Sequence, residues 1–232
     1  MLEARDINLI YSEPGGEEHY ALREINFSAS PGEILGLIGP SGSGKSSLLY
    51  ILSGLKKPTT GSVYYHNHAF ETLSFNDLAK IRRQKFGFIF QRHFLMEYLN
   101  VIDNVLAVVN QNTPAWKKAA LDCLEMLGIA DLAHKMTWQM SVGQRQKVAV
   151  ARALVNQPTV IFADEPTASL DHQNARVVME VLANLKGRTT ILVATHDHSI
   201  LEPTDRIIQM WDGRITKITR FSEPATLSIQ NG

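Results

Sequence analysis

One run of residues carries the clearest chemistry in the chain: Gly39-Pro40-Ser41-Gly42-Ser43-Gly44-Lys45-Ser46. It fits G-x-x-x-x-G-K-[S/T], the pattern of a loop that cradles phosphate. Glycines let the backbone bend so that successive N–H groups point inward at phosphate oxygens. A helix starting at the end of the loop, with Ser47 in its first turn, adds unpaired donors and a positive dipole end. Lys45 can reach the β- and γ-phosphates of a nucleotide, and the Ser46 hydroxyl can ligate Mg²⁺. A second run, Thr159 to Asp171, ends a strand-like stretch in adjacent carboxylates, Asp164 and Glu165. Beside a phosphate loop, Asp164 can hold the Mg²⁺ shell and Glu165 can polarise an attacking water. A third run begins at Met140-Ser141-Val142-Gly143-Gln144. Ser141 has the chemistry of a helix N-cap. Taken alone, these residues read as an ordinary capped helix. A second anion site here has a use only if it serves another subunit's nucleotide.

These groups need elements to hold them. The loop follows the apolar run 34–38 and precedes a helical run, 46–52, the strand-loop-helix order that the pattern requires. Residues 7–11 and 21–28 read as strands, joined by a polar hairpin loop over 12–19 that contains Pro14, Gly15 and Gly16. Residues 62–66, 86–90, 159–162 and 190–194 are further strands; the last three are short Ile-, Val- and Phe-rich runs typical of strands buried on both faces. Helical stretches between them, notably 174–185, imply an α/β fold with a mostly parallel sheet. Residues 206–210 and 214–219 flank Trp211-Asp212-Gly213 as a late hairpin. Between 91 and 157 the pattern turns wholly helical, over 101–109, 116–127 and 141–155. The expected fold class is therefore a P-loop NTPase: a mostly parallel sheet core, an N-terminal antiparallel β subdomain and an inserted α-helical subdomain. One domain is expected over 1–220, with a core of 1–90 and 158–220, a helical subdomain of 91–157 and a loose tail at 221–232.

Composition narrows the classes further. The chain has 232 residues, 23 basic and 23 acidic, and no formal net charge. Nothing in that balance suggests a nucleic-acid partner, which leaves a basic excess. Cys123 is the one cysteine, so no internal disulfide forms, and its helical apolar setting predicts a small buried hydrophobe. The charged N-terminus lacks a secretory signal, and no apolar run approaches the ~18 residues of a membrane span. A soluble, cytosolic protein is expected, free to dock on a membrane protein. His66 and His68 share a strand face in this reading but lack further ligands for a metal.

The ordered motifs resemble those of the nucleotide-binding subunit of ATP-binding cassette (ABC) transporters, over about residues 2–220. The resemblance places the glutamine of the Q-loop on Gln91 and the family signature Leu-Ser-Gly-Gly-Gln on Met140-Ser141-Val142-Gly143-Gln144. It ends the Walker B strand at Asp164, with Glu165 as general base and Lys45 as the catalytic lysine of the loop. The D-loop falls on Ser169-Leu170-Asp171, the switch histidine on His196, and the aromatic that stacks on adenine on Tyr11. It implies ATP and Mg²⁺ as ligands, with the metal held by Ser46, Gln91 and Asp164. It also implies two subunits paired head to tail, most simply as a homodimer. Each of the two ATP molecules then lies between one phosphate loop and the other subunit's Ser141, Gly143 and Gln144. A separate transmembrane permease would hold the pair at the inner face of the cell membrane.

Within the family, the hairpin before Ala21-Leu22, the segment Ile81-Arg82-Arg83 and the run Phe86-Gly87-Phe88-Ile89-Phe90-Gln91 resemble the lipoprotein-release and macrolide-export group. Export or mechanotransmission is the expected work; a regulatory ABC ATPase of the cell-division type is the alternative. Two positions depart from the pattern. Met140 replaces leucine, a mild change. Val142 stands where the signature has glycine, and a β-branched residue resists close phosphate approach. Looser contact and slower turnover are expected from it, with hydrolysis retained because Glu165 and His196 are intact.

Overall fold

Every residue of the strand Ile34–Ile38 is buried, as its continuous apolar run demands. In the computed structural model the described residues are 1–12, 18–201 and 204–220. Two sheets organise them. The smaller is antiparallel, with β1 (Leu2–Ser12), β2 (Glu18–Ala29), β4 (Thr60–Tyr65) and β5 (His68–Ala69) in the order β2-β1-β4-β5. The larger holds β3 (Ile34–Ile38), β6 (Phe86–Ile89), β7 (Val160–Asp164), β8 (Thr190–Thr195), β9 (Arg206–Trp211) and β10 (Arg214–Arg220) in the order β10-β9-β3-β8-β7-β6. Its pairs are parallel except β9 with β10. The expected fold class, a mostly parallel core with an antiparallel N-terminal sheet, is what the chain adopts.

Helix α1 (Lys45–Leu52) buries Leu48, Leu49, Ile51 and Leu52 in the core shared by the two sheets. Each such side chain contributes about 2 kcal/mol of burial. On the other side of the large sheet, α3 (Val101–Leu106), α4 (Pro114–Met126), α5 (Val142–Leu154) and α6 (His172–Ala183) share a second apolar core with β3, β7 and β8. Between β6 and β7 the described chain forms helices joined by loops, with one isolated bridge, Asn100 to Met136, and no strand. Cys123 is buried in that core, and its thiol is pushed up to about 11 by desolvation.

Three readings change. Helix α2 (Phe75–Lys85), which the sequence reading did not assign, has no fully buried residue; only Leu78 and Ile81 pack, partly buried, against the core. His66 lies in the turn after β4 with a positive φ of 47°, so it shares no strand face with His68. The strands β1 and β2 run further than expected, to Ser12 and from Glu18. The remainder of the hairpin loop, and the tail 221–232, lie outside the described residues. No described helix is long and apolar enough to cross a membrane.

Candidate functional site

The parallel strands β3, β6, β7 and β8 end at one edge of the large sheet. Their C-terminal ends deliver Gly39, Gln91, the Asp164–Glu165 pair and His196 respectively, the place where open parallel sheets bind ligands. Loop geometry begins with two glycines. Gly44 caps α1 at φ 99°, and a Cβ there would stand 2.6 Å from the Ala21 carbonyl oxygen. At Gly39 a Cβ would stand 2.3 Å from the Met210 carbonyl oxygen. Only glycine allows the loop to lie this close to β2 and β9.

Ser41 through Ser47, Gln91, Asp164, Glu165 and His196 line one cavity of about 540 Å³. A larger cavity, about 850 Å³, runs along α6, but the phosphate loop is absent from its walls. Lys45 folds back, donating from Nζ to the carbonyls of Gly39 at 2.7 Å and Pro40 at 3.0 Å. Its buried ammonium is thus held at the centre of the loop by weak acceptors that phosphate oxygens can replace. The Ser46 hydroxyl donates to Asp164 Oδ1 at 2.9 Å. Burial raises the Asp164 carboxyl above the usual carboxylate range, opposed by the Ser46 hydrogen bond.

Glu165 stands just past β7 with φ 49°, a backbone conformation that a non-glycine residue adopts at a cost of order 1–3 kcal/mol. Its Oε1 lies 2.8 Å from His196 Nδ1, and its Oε2 accepts from the Thr195 hydroxyl at 3.2 Å. The carboxylate is therefore aimed by two groups from the end of β8. Ser46 and Asp164 place two hard oxygen ligands side by side, with the Gln91 amide at the same cavity. No described cluster of three His, Cys, Asp or Glu residues exists. One carboxylate, one hydroxyl and one amide suit a cation that keeps waters and phosphates as its other ligands, as Mg²⁺ does.

The remaining predicted residues lie elsewhere. Ser141, Gly143, Gln144 and Asp171 line a separate cavity of about 430 Å³. Ser141 caps α5 in a reciprocal box: its Oγ accepts the Gln144 N–H at 3.2 Å, and Gln144 Oε1 accepts the Ser141 N–H at 3.0 Å. Val142 is the first residue of α5 and is 47% exposed. Asp171 caps α6, and its carboxyl sits below the usual range chiefly because it accepts the Asn174 N–H. Tyr11 lines neither cavity. Its ring is 43% exposed, with the Lys56 ammonium 4.0 Å from the centroid and bonded to its hydroxyl. Its cross-strand partner His19 lines the phosphate-loop cavity instead. Tyr50 was missed: its hydroxyl reaches Asp164 Oδ2 at 3.5 Å. The signal was available, since Ser46 and Tyr50 are four apart on one helix face.

Residues 22–168 match the family model described as ABC transporter. The chain is 35% identical to the lipoprotein-releasing system ATP-binding protein LolD of Buchnera aphidicola, over 90% of this chain and 94% of that one. It is 42% identical to the macrolide export ATP-binding/permease protein MacB of Bartonella henselae, over 90% of this chain but 32% of that longer protein. A solved structure, a dimeric post-hydrolysis state of the ATP-binding cassette MJ0796 bound to ADP and Pi, superposes with a TM-score of 0.90 at 35% identity. The superposition covers 96% of this chain and 100% of that one. With the loop, the paired carboxylates and the histidine gathered at one sheet edge, the chain belongs to the ABC transporter family, as one of its ATPase subunits.

Proposed function

We propose that this ABC ATPase binds ATP with Mg²⁺ at the phosphate loop, hydrolyses it, and drives a separate membrane subunit with the cycle. The observation that carries this reading is the 2.8 Å contact between Glu165 and His196 at the wall of the phosphate-loop cavity. Glu165 takes a proton from water as the water oxygen bonds to the γ-phosphorus. The bond from phosphorus to the bridging oxygen breaks, leaving ADP and phosphate. His196 holds the Glu165 carboxylate and contacts the γ-phosphate. Lys45 exchanges its two carbonyls for phosphate oxygens, and the N–H groups of Gly42 to Ser47 surround the phosphate chain. Ser46, Gln91 and Asp164 hold the Mg²⁺, which when bound neutralises phosphate charge. Tyr11 offers adenine the ring face that Lys56 leaves free.

The signature residues support a pair of chains. Ser141, Gly143, Gln144 and Asp171 open on their own cavity, away from the phosphate loop of the same chain. A head-to-tail homodimer brings each such cavity to the other chain's ATP. The solved relative is itself dimeric.

A docking place for the membrane subunit lies beside the Q-loop. Phe86, Phe88, Phe90, Phe94 and Met96 line a groove of about 330 Å³ flanked by Arg82 and Arg152. Phe88 stacks on Phe90, and Phe94 meets Phe90 edge-on while remaining exposed. An apolar floor with basic flanks suits an amphipathic helical segment of the permease, which holds the ATPase at the cytoplasmic face of the membrane. The relatives in lipoprotein release and macrolide export favour export or mechanotransmission as the work done. Replacing Glu165 tests the core of this reading. Glu165→Gln should lower turnover by at least 100-fold and trap an ATP-bound dimer on gel filtration. Unchanged hydrolysis would remove Glu165 as the base.

A further inference from the structure

The turn that follows Glu165 is held from a second side, by a residue outside the phosphate-loop cavity. Gln146 lies in the second turn of α5 and is 1% exposed. Its Nε2 donates to the Pro166 carbonyl at 2.9 Å, and both residues are buried. Gly143, three residues earlier on the same helix face, is pressed against the same loop. A Cβ there would stand 3.2 Å from Leu170 Cδ2 and 3.4 Å from the Ser169 carbonyl oxygen. Helix α5 therefore packs on the segment that runs from Glu165 to the α6 cap at Asp171, and Gln146 reaches into it.

That segment starts under strain. Glu165 has a left-handed φ of 49°, and it precedes a proline, whose ring drives the residue before it toward extended conformations. Such a backbone persists only when its surroundings over-determine it. Strand β8 supplies the upstream half: the Glu165 N–H donates to the Ala194 carbonyl at 2.8 Å, and Thr195 and His196 hold the carboxylate. Downstream, the ring of Pro166 fixes its φ and leaves ψ as the soft torsion that aims its carbonyl. The bond from Ala168 N–H to the Glu165 carbonyl is long, at 3.3 Å. The Gln146 amide fixes the Pro166 carbonyl directly. A carbonyl only accepts, so the amide nitrogen must face it. Gln146 Oε1 is left buried without a partner among the described residues. The side chain is oriented by the needs of the turn, at a cost to its own oxygen.

We propose that Gln146 is a positioning residue for hydrolysis: by holding the Pro166 carbonyl it keeps the Glu165 carboxylate aimed at the attacking water. This rests on Glu165 as the base, the reading proposed above. Without the amide donor, the turn relaxes toward the extended backbone that a residue before proline prefers, and the carboxylate leaves its line of attack. ATP binding uses none of these contacts.

The test is a double-mutant cycle in the full chain, with single-turnover and steady-state hydrolysis followed beside ATP titration. Gln146→Met keeps the length of the side chain and removes the donor. It should lower kcat about tenfold while KM and ATP affinity stay within about twofold. Once Glu165 is already Gln, its aim no longer matters, and adding Gln146→Met should lower the residual rate by less than about twofold. Gln146→Leu is read in the same way should the methionine variant melt early. Unchanged hydrolysis by Gln146→Met overturns the proposal. So do equal tenfold losses with and without Glu165, or a parallel fall of ATP affinity, either of which means a general structural role. If Glu165→Gln alone leaves hydrolysis unchanged, the base itself fails, and the role given to Gln146 falls with it.

Discussion

His196 Nδ1 and Glu165 Oε1 stand 2.8 Å apart, joining the end of β8 to the end of β7. Glu165 is held by this contact, by Thr195, and by its own N–H bonded to the Ala194 carbonyl at 2.8 Å. The strained φ of 49° is thereby fixed from three directions. His196→Ala should lower turnover by about 100-fold, the lower range for a lost acid–base partner. ATP affinity should change by less than about fivefold. Steady-state hydrolysis together with nucleotide titration separates the two effects.

Asp164 carries a pH signature. Its carboxyl is raised above the ordinary value, mainly by burial. The folded chain therefore holds its proton more tightly than the unfolded chain does, and ionising Asp164 costs folding free energy as pH rises through that window. The sign is opposite to that of a salt-bridged carboxylate. Asp164→Asn keeps an acceptor for the Ser46 hydroxyl and removes the charge. Its melting temperature without nucleotide should exceed the parent's at pH 7, by ~2–4 °C for each kcal/mol recovered. The gap should narrow as pH falls toward 4. Thermal melts at several pH values check this, and hydrolysis by the variant should be lost.

Tyr11 gives a smaller effect with a clear control. One face of its ring is covered by the Lys56 ammonium, and the ring remains partly exposed. If adenine stacks on the free face, Tyr11→Ala should weaken ATP binding about tenfold, as an aromatic contact of ~1–1.5 kcal/mol predicts. Tyr11→Phe should bind as the parent does. Equal affinity in all three chains would move the base contact to His19, which lines the cavity.

Cys123 reports on folding. With its thiol near pKa 11 and its side chain buried, the thiolate is scarce at pH 8, at roughly one part in a thousand. A thiol reagent should modify the native chain at least 1000-fold more slowly than the denatured chain. Fast modification of the native protein would mean that the core between α4 and α5 opens locally.

The strands were legible because burial on both faces writes itself as an unbroken apolar run: Ile34 to Ile38 and Val160 to Phe162 have no polar member. The cap at Ser141 was legible for a similar reason, since its side chain satisfies open N–H groups, whereas Asp171, read as part of the D-loop, proves also to cap α6. Helix α2 was not legible, because only Leu78 and Ile81 pack against the core and neither is fully buried, so the apolar signal is weak. Tyr50 was passed over for another reason: it reads as an ordinary helical residue until the fold brings Asp164 against it. The two-cavity division was legible only through the family resemblance, which assigned Ser46 and Ser141 to different nucleotides; the residues alone left Ser141 an ordinary helix cap.

That division has a consequence in the language of complementation. One chain's phosphate loop and its own signature helix serve different nucleotides in the proposed pair, so a defect in either half is not confined to the molecule that carries it. Two chains, one disabled at Lys45 and the other at Ser141, are each inert as homodimers. Mixed, they form a hybrid in which one site takes an intact loop from the second chain and an intact signature from the first.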